Sequence, residues 1–376
     1  MNVKFDGIRP YEGKEVVLAV NRLRQEKDFL SMMSALRKTT EATILATLDT
    51  VHSRDDFQKN FIQEVIDATL KYYSDGLFVE GLEYLQPDKT YVFITNHRDI
   101  VLDSAILNYI LLSHNLKYSQ AAIGSNLLVN QWVTDTVKLM SCFIIERNLL
   151  VKEMLVSSIL RSEYVRELLS EGTHSVWIAQ KEGRTKNGDD KTQPSLLKML
   201  NMSGGKSFAD NFKSLRVVPV AISYEWESCD ALKTKELYTK QVGEYVRTPG
   251  ADMESMTTGW FGAKGRISFV IGKPIDEEMD AIDKLSSKGE KAEALAKLID
   301  AHIHRNFKLW PNNYIAYDLL HSATTFADKY TQEEKETFTK AMHYKVDKIT
   351  GSKSVLNNIF LEIYANPVRN YLKISK

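Results

Sequence analysis

The chain has 376 residues, 43% of them hydrophobic, which is enough for one large core or two. Its 49 basic residues balance 49 acidic ones, so no global electrostatic case exists for a nucleic-acid partner. The cysteines, Cys142 and Cys229, allow no disulfide framework and lack metal-ligand spacing; both read as packing residues of apolar, strand-like runs in a reducing cytosol.

The first residues, "MNVKFDGIRPYEGKE", lack the apolar stretch of a signal peptide, and no uncharged apolar run reaches transmembrane length. Residues 12–76 read as helical. Val16, Val20 and Leu23 share one face; Ile44, Leu45, Leu48 and Val51 repeat the spacing, as do Phe57, Phe61, Val65 and Leu70. This predicts an N-terminal bundle of about three helices over residues 1–76. Asp55 and Asp56 charge the start of its last helix, and Gly76 can end it.

Phe78 to Leu85 reads as a strand followed by a Pro87-Asp88 turn. Tyr91 to Thr95 is a buried strand that runs into the polar cluster Asn96, His97, Arg98 and Asp99. An apolar helix opening near Asp103 comes next. Further strands are predicted at Ala121–Gly124, Cys142–Ile145, His174–Ala179, Arg216–Tyr224 and Ile267–Ile271, with a helix over Val151–Ser170. Pro219 suggests that its strand lies at an edge or bend. The alternation of strands and helices predicts an α/β domain over residues 77–310, with a mixed, mainly parallel sheet flanked by helices. Tyr238 to Lys264 reads as a long irregular loop, with Trp260 and Phe261 fastening it to the core or meeting lipid. The chain is helical again past Lys288, Thr331 and Glu334 form a capping box, and residues 311–376 make a C-terminal helical extension. His302 and His304 face different sides of their helix and make a poor metal pair.

Open α/β sheets bind ligands at the carboxyl ends of their strands. A strand-end histidine beside a carboxylate that fixes its tautomer is the minimal general-base apparatus, and here both Asp99 and Asp103 compete for that place. The segment "IAQKEGRTKNGDDKTQ" offers a second candidate. Gly183 lets the backbone approach an anion, and Arg184 can grip a phosphate with two donors; the competing reading is a solvated charged turn. Arg147 follows the strand "CFII". Rival motifs fail: "GGKS" lacks the first glycine of a P-loop, where Leu200 stands, and there is no GxSxG or HExxH.

The stretch "NHRDIVLD" resembles the signature of the glycerolipid acyltransferase family, an Asn-His followed within a few residues by Asp, in which His is the base and Asp its orienter. The family places four residues between the two, whereas five separate His97 from Asp103. Asp103 is preferred over Asp99 because "DSAILNYILL" continues into an apolar helix as the family's aspartate does. Glu182-Gly183-Arg184 resembles the family's Glu-Gly-x-Arg without the intervening residue. Arg184 and Lys186 would imitate the cation pair of the phosphate loop in soluble plastid glycerol-3-phosphate acyltransferases. Arg147 stands where the family has an acceptor-binding residue, and "VVPVAIS" resembles its Val-Pro-Val strand. All four blocks occur in the family's order between about residues 77 and 225.

The resemblance implies transfer of an acyl group from a thioester, acyl-CoA or acyl-acyl carrier protein, to a hydroxyl of a glycerol-phosphate lipid. The acceptor would be 1-acylglycerol-3-phosphate, with glycerol-3-phosphate as the alternative. His97 and Asp103 would be catalytic, and Arg147, Arg184 and Lys186 would hold the phosphate. Asn96, Arg98, Asp99, Glu182 and Gly183 would support them, Arg98 by assisting at the phosphate, and the N–H groups of Asn96 to Asp99 or the N-terminus of the following helix would meet the oxyanion. The activated thioester requires neither metal nor other cofactor. The expected partners are the two substrates, the membrane surface and an acyl carrier protein. The expected place is the cytoplasm, peripherally on the inner face of the membrane. A non-catalytic lipid-binding protein and a thioesterase-like hydrolase are the alternatives on the same fold.

Overall fold

A computed structural model describes residues 2–147, 149–205, 207–246, 248 and 250–375. Seven strands form one sheet: β1 (Leu77–Glu80), β2 (Val92–Thr95), β3 (Ser119–Gly124), β4 (Cys142–Ile145), β5 (Ser175–Ala179), β6 (Val217–Tyr224) and β7 (Ile267–Ile271). Their spatial order is β1-β7-β6-β2-β5-β3-β4. β6, β2, β5, β3 and β4 run parallel, and β7 joins β6 antiparallel with β1 parallel to β7. The sheet is therefore mixed and mainly parallel, and its five parallel strands deliver their carboxyl ends to one edge.

Alternation along the strands explains how both sheet faces are covered. In β2, Phe93 packs with the N-terminal helices and with the helix Leu102–Ser113, while Val92 and Ile94 pack on the other face with the helices Val151–Glu171 and Lys288–Asn306. The helices before Gly76 close no core of their own; Val16, Phe29, Phe61 and Val65 share one cluster with β6 and β7. They number more than the three expected, because the chain breaks after Leu23 and again at Lys38, whose left-handed backbone (φ 50°) ends the helix Lys27–Arg37. The C-terminal helices Pro311–Leu320, Gln332–Asp347 and Lys353–Ile374 make a third cluster, and the Thr331–Glu334 capping box is present.

Several sequence expectations fail locally. The first predicted strand stops at Glu80, beyond which Leu82–Tyr84 forms a 3-10 turn. Pro219 lies in an interior strand between β2 and β7. Its carbonyl accepts from Gly272 N, one residue past the end of β7, so its missing N–H falls where pairing with β7 has already stopped. Cys229 lies in a left-handed turn (φ 59°) before the helix Asp230–Val242 rather than in a strand. The segment 238–264 is mostly helical, with Asp230–Val242 running into it and Ala251–Phe261 following; residues 247 and 249 lie outside the described residues. The helix Ala251–Phe261 buries Asp252, Ser255, Met256, Gly259 and Trp260, a largely polar and small face that leaves no apolar period. Trp260 is accordingly a core residue, and only Phe261 remains half-buried, edge-on to Tyr73.

One side chain fixes the exit of β2. Asn96 donates its amide to Ile222 O and accepts from Ile222 N, both at 2.8 Å, which clasps the end of β2 to β6. Both groups are buried. Asn96→Ala should leave them unpaired at about 1–3 kcal/mol each, and chemical denaturation should show a clearly lower midpoint with an unchanged slope.

Candidate active site

The short segment between β2 and the helix Leu102–Ser113 is folded around one buried carboxylate. Asp103 Oδ2 lies 2.8 Å from His97 Nδ1 and accepts from the backbone N–H groups of Arg98 (2.6 Å) and Asp99 (3.0 Å). Its Oδ1 accepts from the Tyr224 hydroxyl at 2.9 Å. With the carboxylate accepting, His97 Nδ1 is the donor, and Nε2 is left with its lone pair. Asp103 also stands in the first turn of its helix, where the helix dipole favours a negative charge. Burial, followed by the neighbouring Asp103, pushes the Tyr224 phenol well above its ordinary value and keeps it a hydrogen-bond donor.

Asp99 has a different task. Its Oδ1 accepts from Val101 N and Leu102 N at 3.0 and 2.9 Å, capping the helix entrance, and its Oδ2 takes the Ser228 hydroxyl. The structure thus pairs His97 with Asp103 and assigns Asp99 to the cap. Arg98 departs from its expected place at the phosphate. It is completely buried, ion-paired to Asp190 and Glu227, and 5.0 Å from the ring centroid of Phe307. Lys233 joins this interior network through Glu227 and donates to Arg98 O at 2.9 Å. Of the expected oxyanion donors, the backbone N–H groups of Arg98 and Asp99 are committed to Asp103.

His97 lines a cleft of about 810 Å³ at the carboxyl edge of the sheet. Trp177 of β5 meets its ring edge-on, with centroids 5.4 Å apart. Arg147, Glu182, Gly183, Arg184 and Lys186 line the same cleft, so β4 and β5 bring them to the histidine. Gly183 holds a positive φ of 70° with open space where a Cβ would stand. Arg184 is only 8% exposed, and among the described residues its Nη1 has no hydrogen-bond partner. Lys186 is paired with Glu236 at 2.7 Å, and burial together with neighbouring Arg184 lowers its pKa to about 8. Arg147 pairs with the exposed Glu182 at 2.6 Å. The cleft is also lined by the apolar side chains Ile123, Leu127, Ile145 and Met199.

Sequence reasoning missed Trp177, Tyr224 and the cleft cations Lys181, Arg161 and Lys240. The first two occupy predicted strands near the catalytic edge, so strand register could have flagged them. The cations lie at a strand end and on two helices whose rotation the sequence does not reveal. Among the described residues no cluster of histidine, cysteine and carboxylate side chains is disposed to hold a metal ion.

His97→Ala should lower turnover about 10²- to 10⁴-fold, the usual worth of a positioned base, with little change in acceptor binding. Asp103→Asn should be severe because it substitutes an amide for the carboxylate that orients the imidazole. Asp99→Asn keeps one capping oxygen and should be mild. Steady-state turnover of the three variants checks this order.

The acyltransferase family model matches residues 76–223, the segment that holds β1 to β5, nearly all of β6, His97, Asp103, Arg147, Arg184 and Lys186. No curated protein matches the chain. Among solved structures, the 1-acyl-sn-glycerophosphate (LPA) acyltransferase PlsC from Thermotoga maritima is similar at 13% identity, with a TM-score of 0.41, over 76% of this chain and 92% of that one. Over residues 76–223 the chain is thus similar to the acyltransferase family.

Proposed function

We propose that this acyltransferase moves a fatty acyl group from a thioester to the free hydroxyl of a glycerol-phosphate lipid, 1-acylglycerol-3-phosphate. The observation that carries the reading is the shared cleft: a histidine oriented by a buried carboxylate faces the same space as a buried guanidinium with an unused donor. In the proposed reaction, His97 Nε2 takes the hydroxyl proton as the acceptor oxygen attacks the thioester carbonyl. The tetrahedral intermediate collapses by breaking the carbon–sulfur bond, and the thiolate recovers the proton from the imidazolium. Asp103 stabilises the imidazolium between these steps. No protein nucleophile is required, because the acceptor oxygen attacks directly.

Arg184 supplies the strongest phosphate contact in this reading, since its Nη1 is buried without a partner among the described residues. Arg147 and Lys186 would exchange Glu182 and Glu236 for the incoming anion. The apolar lining of the cleft favours an acceptor that already carries an acyl chain over glycerol-3-phosphate itself. The thioester donor is acyl-CoA or acyl-acyl carrier protein. A thioesterase would use the same histidine on water and would release thiol without any acceptor.

Arg184→Ala should raise the acceptor KM about ten- to a hundred-fold, the equivalent of about 1.5–3 kcal/mol for a charge-assisted contact. Thermal melting should hardly change, because the lost donor has no partner among the described residues. Saturation with acceptor and a melt of the same variant decide between a ligand role and a structural one. Lys186 loses its charge as pH rises through about 8. Acceptor affinity should therefore weaken across that value, and the weakening should flatten in Lys186→Gln; acceptor KM against pH for both proteins checks it.

A further inference from the structure

The loop that carries Arg184 and Lys186 is fastened at two points. Toward the histidine, Thr185 donates its backbone N–H to His97 O at 2.8 Å, and its hydroxyl donates to Asp190 Oδ1 at 2.6 Å. Further along, the loop meets the helix Lys353–Ile374, which lies outside residues 76–223. Asn366 donates its side-chain amide to Asn187 O at 2.7 Å. One residue on, Gly188 is buried at φ 76°, and a Cβ there would stand 2.2 Å from Ile363 O. That carbonyl lacks its helical donor, because the residue four places on is Pro367, which has no N–H. Pro367, Gly188 and Asn366 thus make a fitted seat between loop and helix.

The same helix also holds the partner of Lys186. The Tyr364 hydroxyl donates to Asp230 Oδ2 at 2.7 Å and accepts from Glu227 N at 3.0 Å. Asp230 opens the helix Asp230–Val242, on which Glu236 stands. The helix Lys353–Ile374 has 22 residues, yet no helix among the described residues is long and apolar enough to cross a membrane. Leu356, Phe360 and Tyr364 bury it in the fold instead.

We propose that the helix Lys353–Ile374 braces the phosphate loop and that Asn366 is a positioning residue for acceptor binding, an assignment that rests on Arg184 and Lys186 meeting the acceptor phosphate. Lys186 lies between the ties at Thr185 and Asn187, so both of its chain neighbours are fixed. Loss of the Asn187 contact frees that side of the loop while Thr185 still fastens it to the histidine. Binding then suffers, because cations that must be ordered by the ligand hold it less tightly than cations already in place. Chemistry does not, because the His97–Asp103 pair is untouched. Neither Asn366 nor Gly188 lines the cleft.

The test is steady-state kinetics of the full chain with acyl-CoA and 1-acylglycerol-3-phosphate, alongside amide hydrogen exchange. Asn366→Ala should raise the acceptor KM about two- to tenfold, the worth of one hydrogen bond, with donor KM and saturated turnover within about twofold of wild type. Asn366→Asp keeps an oxygen for Arg369, which donates to Asn366 Oδ1 at 3.0 Å, but it lacks the amide donor and should match Asn366→Ala. Gly188→Ala should raise the acceptor KM further, because its Cβ drives the loop off a backbone carbonyl. In an Arg184→Ala/Lys186→Ala background, Asn366→Ala should add nothing to KM. Exchange in Asn366→Ala should quicken in peptides spanning residues 184–189 and stay unchanged in those covering β2. Turnover that falls with an unchanged acceptor KM would make the helix a structural element only and overturn the proposal. Wild-type behaviour of Asn366→Asp beside an impaired Asn366→Ala also overturns it, since the effect then runs through Arg369. A raised acceptor KM in Arg184→Ala but not in Asn366→Ala removes the brace alone. An unchanged acceptor KM in Arg184→Ala removes the phosphate reading, and the brace assignment with it.

Discussion

The carboxylate of Asp103 is the constraint on which the active edge depends. It is fully buried, and a buried charge persists only when its lone pairs are satisfied. Four donors meet it: the imidazole of His97, two successive backbone N–H groups and the Tyr224 hydroxyl. Those bonds turn the exit of β2 into a hook. Within the hook, Asn96 is tied to Ile222 and Arg98 to Asp190 and Glu227, and His97 between them lines the cleft. Orientation of the histidine is thus a consequence of where its neighbours are tied.

The electrostatics of the cleft follow from the same economy of partners. Arg147 and Lys186 each have an acidic neighbour, and Arg98 is committed to the interior. Among the described residues Arg184 leaves Nη1 idle and half-buried Arg147 leaves Nε idle, but Arg184 is the more deeply buried and has no carboxylate paired with it among the contacts above. An incoming phosphate therefore gains most from Arg184 and competes with Glu182 and Glu236 for the others. The weakened proton affinity of Lys186 reflects how crowded and desolvated that wall is before any anion arrives.

Much of this was legible in the chain. The strands Cys142–Ile145 and Ile267–Ile271 were read at their full extent, and the others to within a few residues except the first, because buried strands concentrate β-branched and aromatic residues between polar turns. The gathering of His97, Arg147, Arg184 and Lys186 followed from each standing just past a strand end. What failed had physical causes. The helix Ala251–Phe261 hides its period because it buries Asp252, Ser255 and Gly259. Arg98 sits beside the histidine in sequence but points inward, a choice made by Asp190 and Glu227, which lie roughly ninety and a hundred and thirty residues away. Tyr224 and Trp177 looked like ordinary strand residues because register marks them only as near the catalytic edge, while the sheet order sets them beside Asp103 and His97.

The measurement that bears most directly on the account is thiol release from acyl-CoA by the pure protein, with and without 1-acylglycerol-3-phosphate, repeated with acyl-acyl carrier protein. Release that depends on the acceptor, and that yields the doubly acylated glycerol phosphate, is the predicted result. Release at the same rate without acceptor would make the protein a hydrolase. No release with either donor would leave a lipid-binding protein on an acyltransferase fold and contradict the reaction proposed for His97.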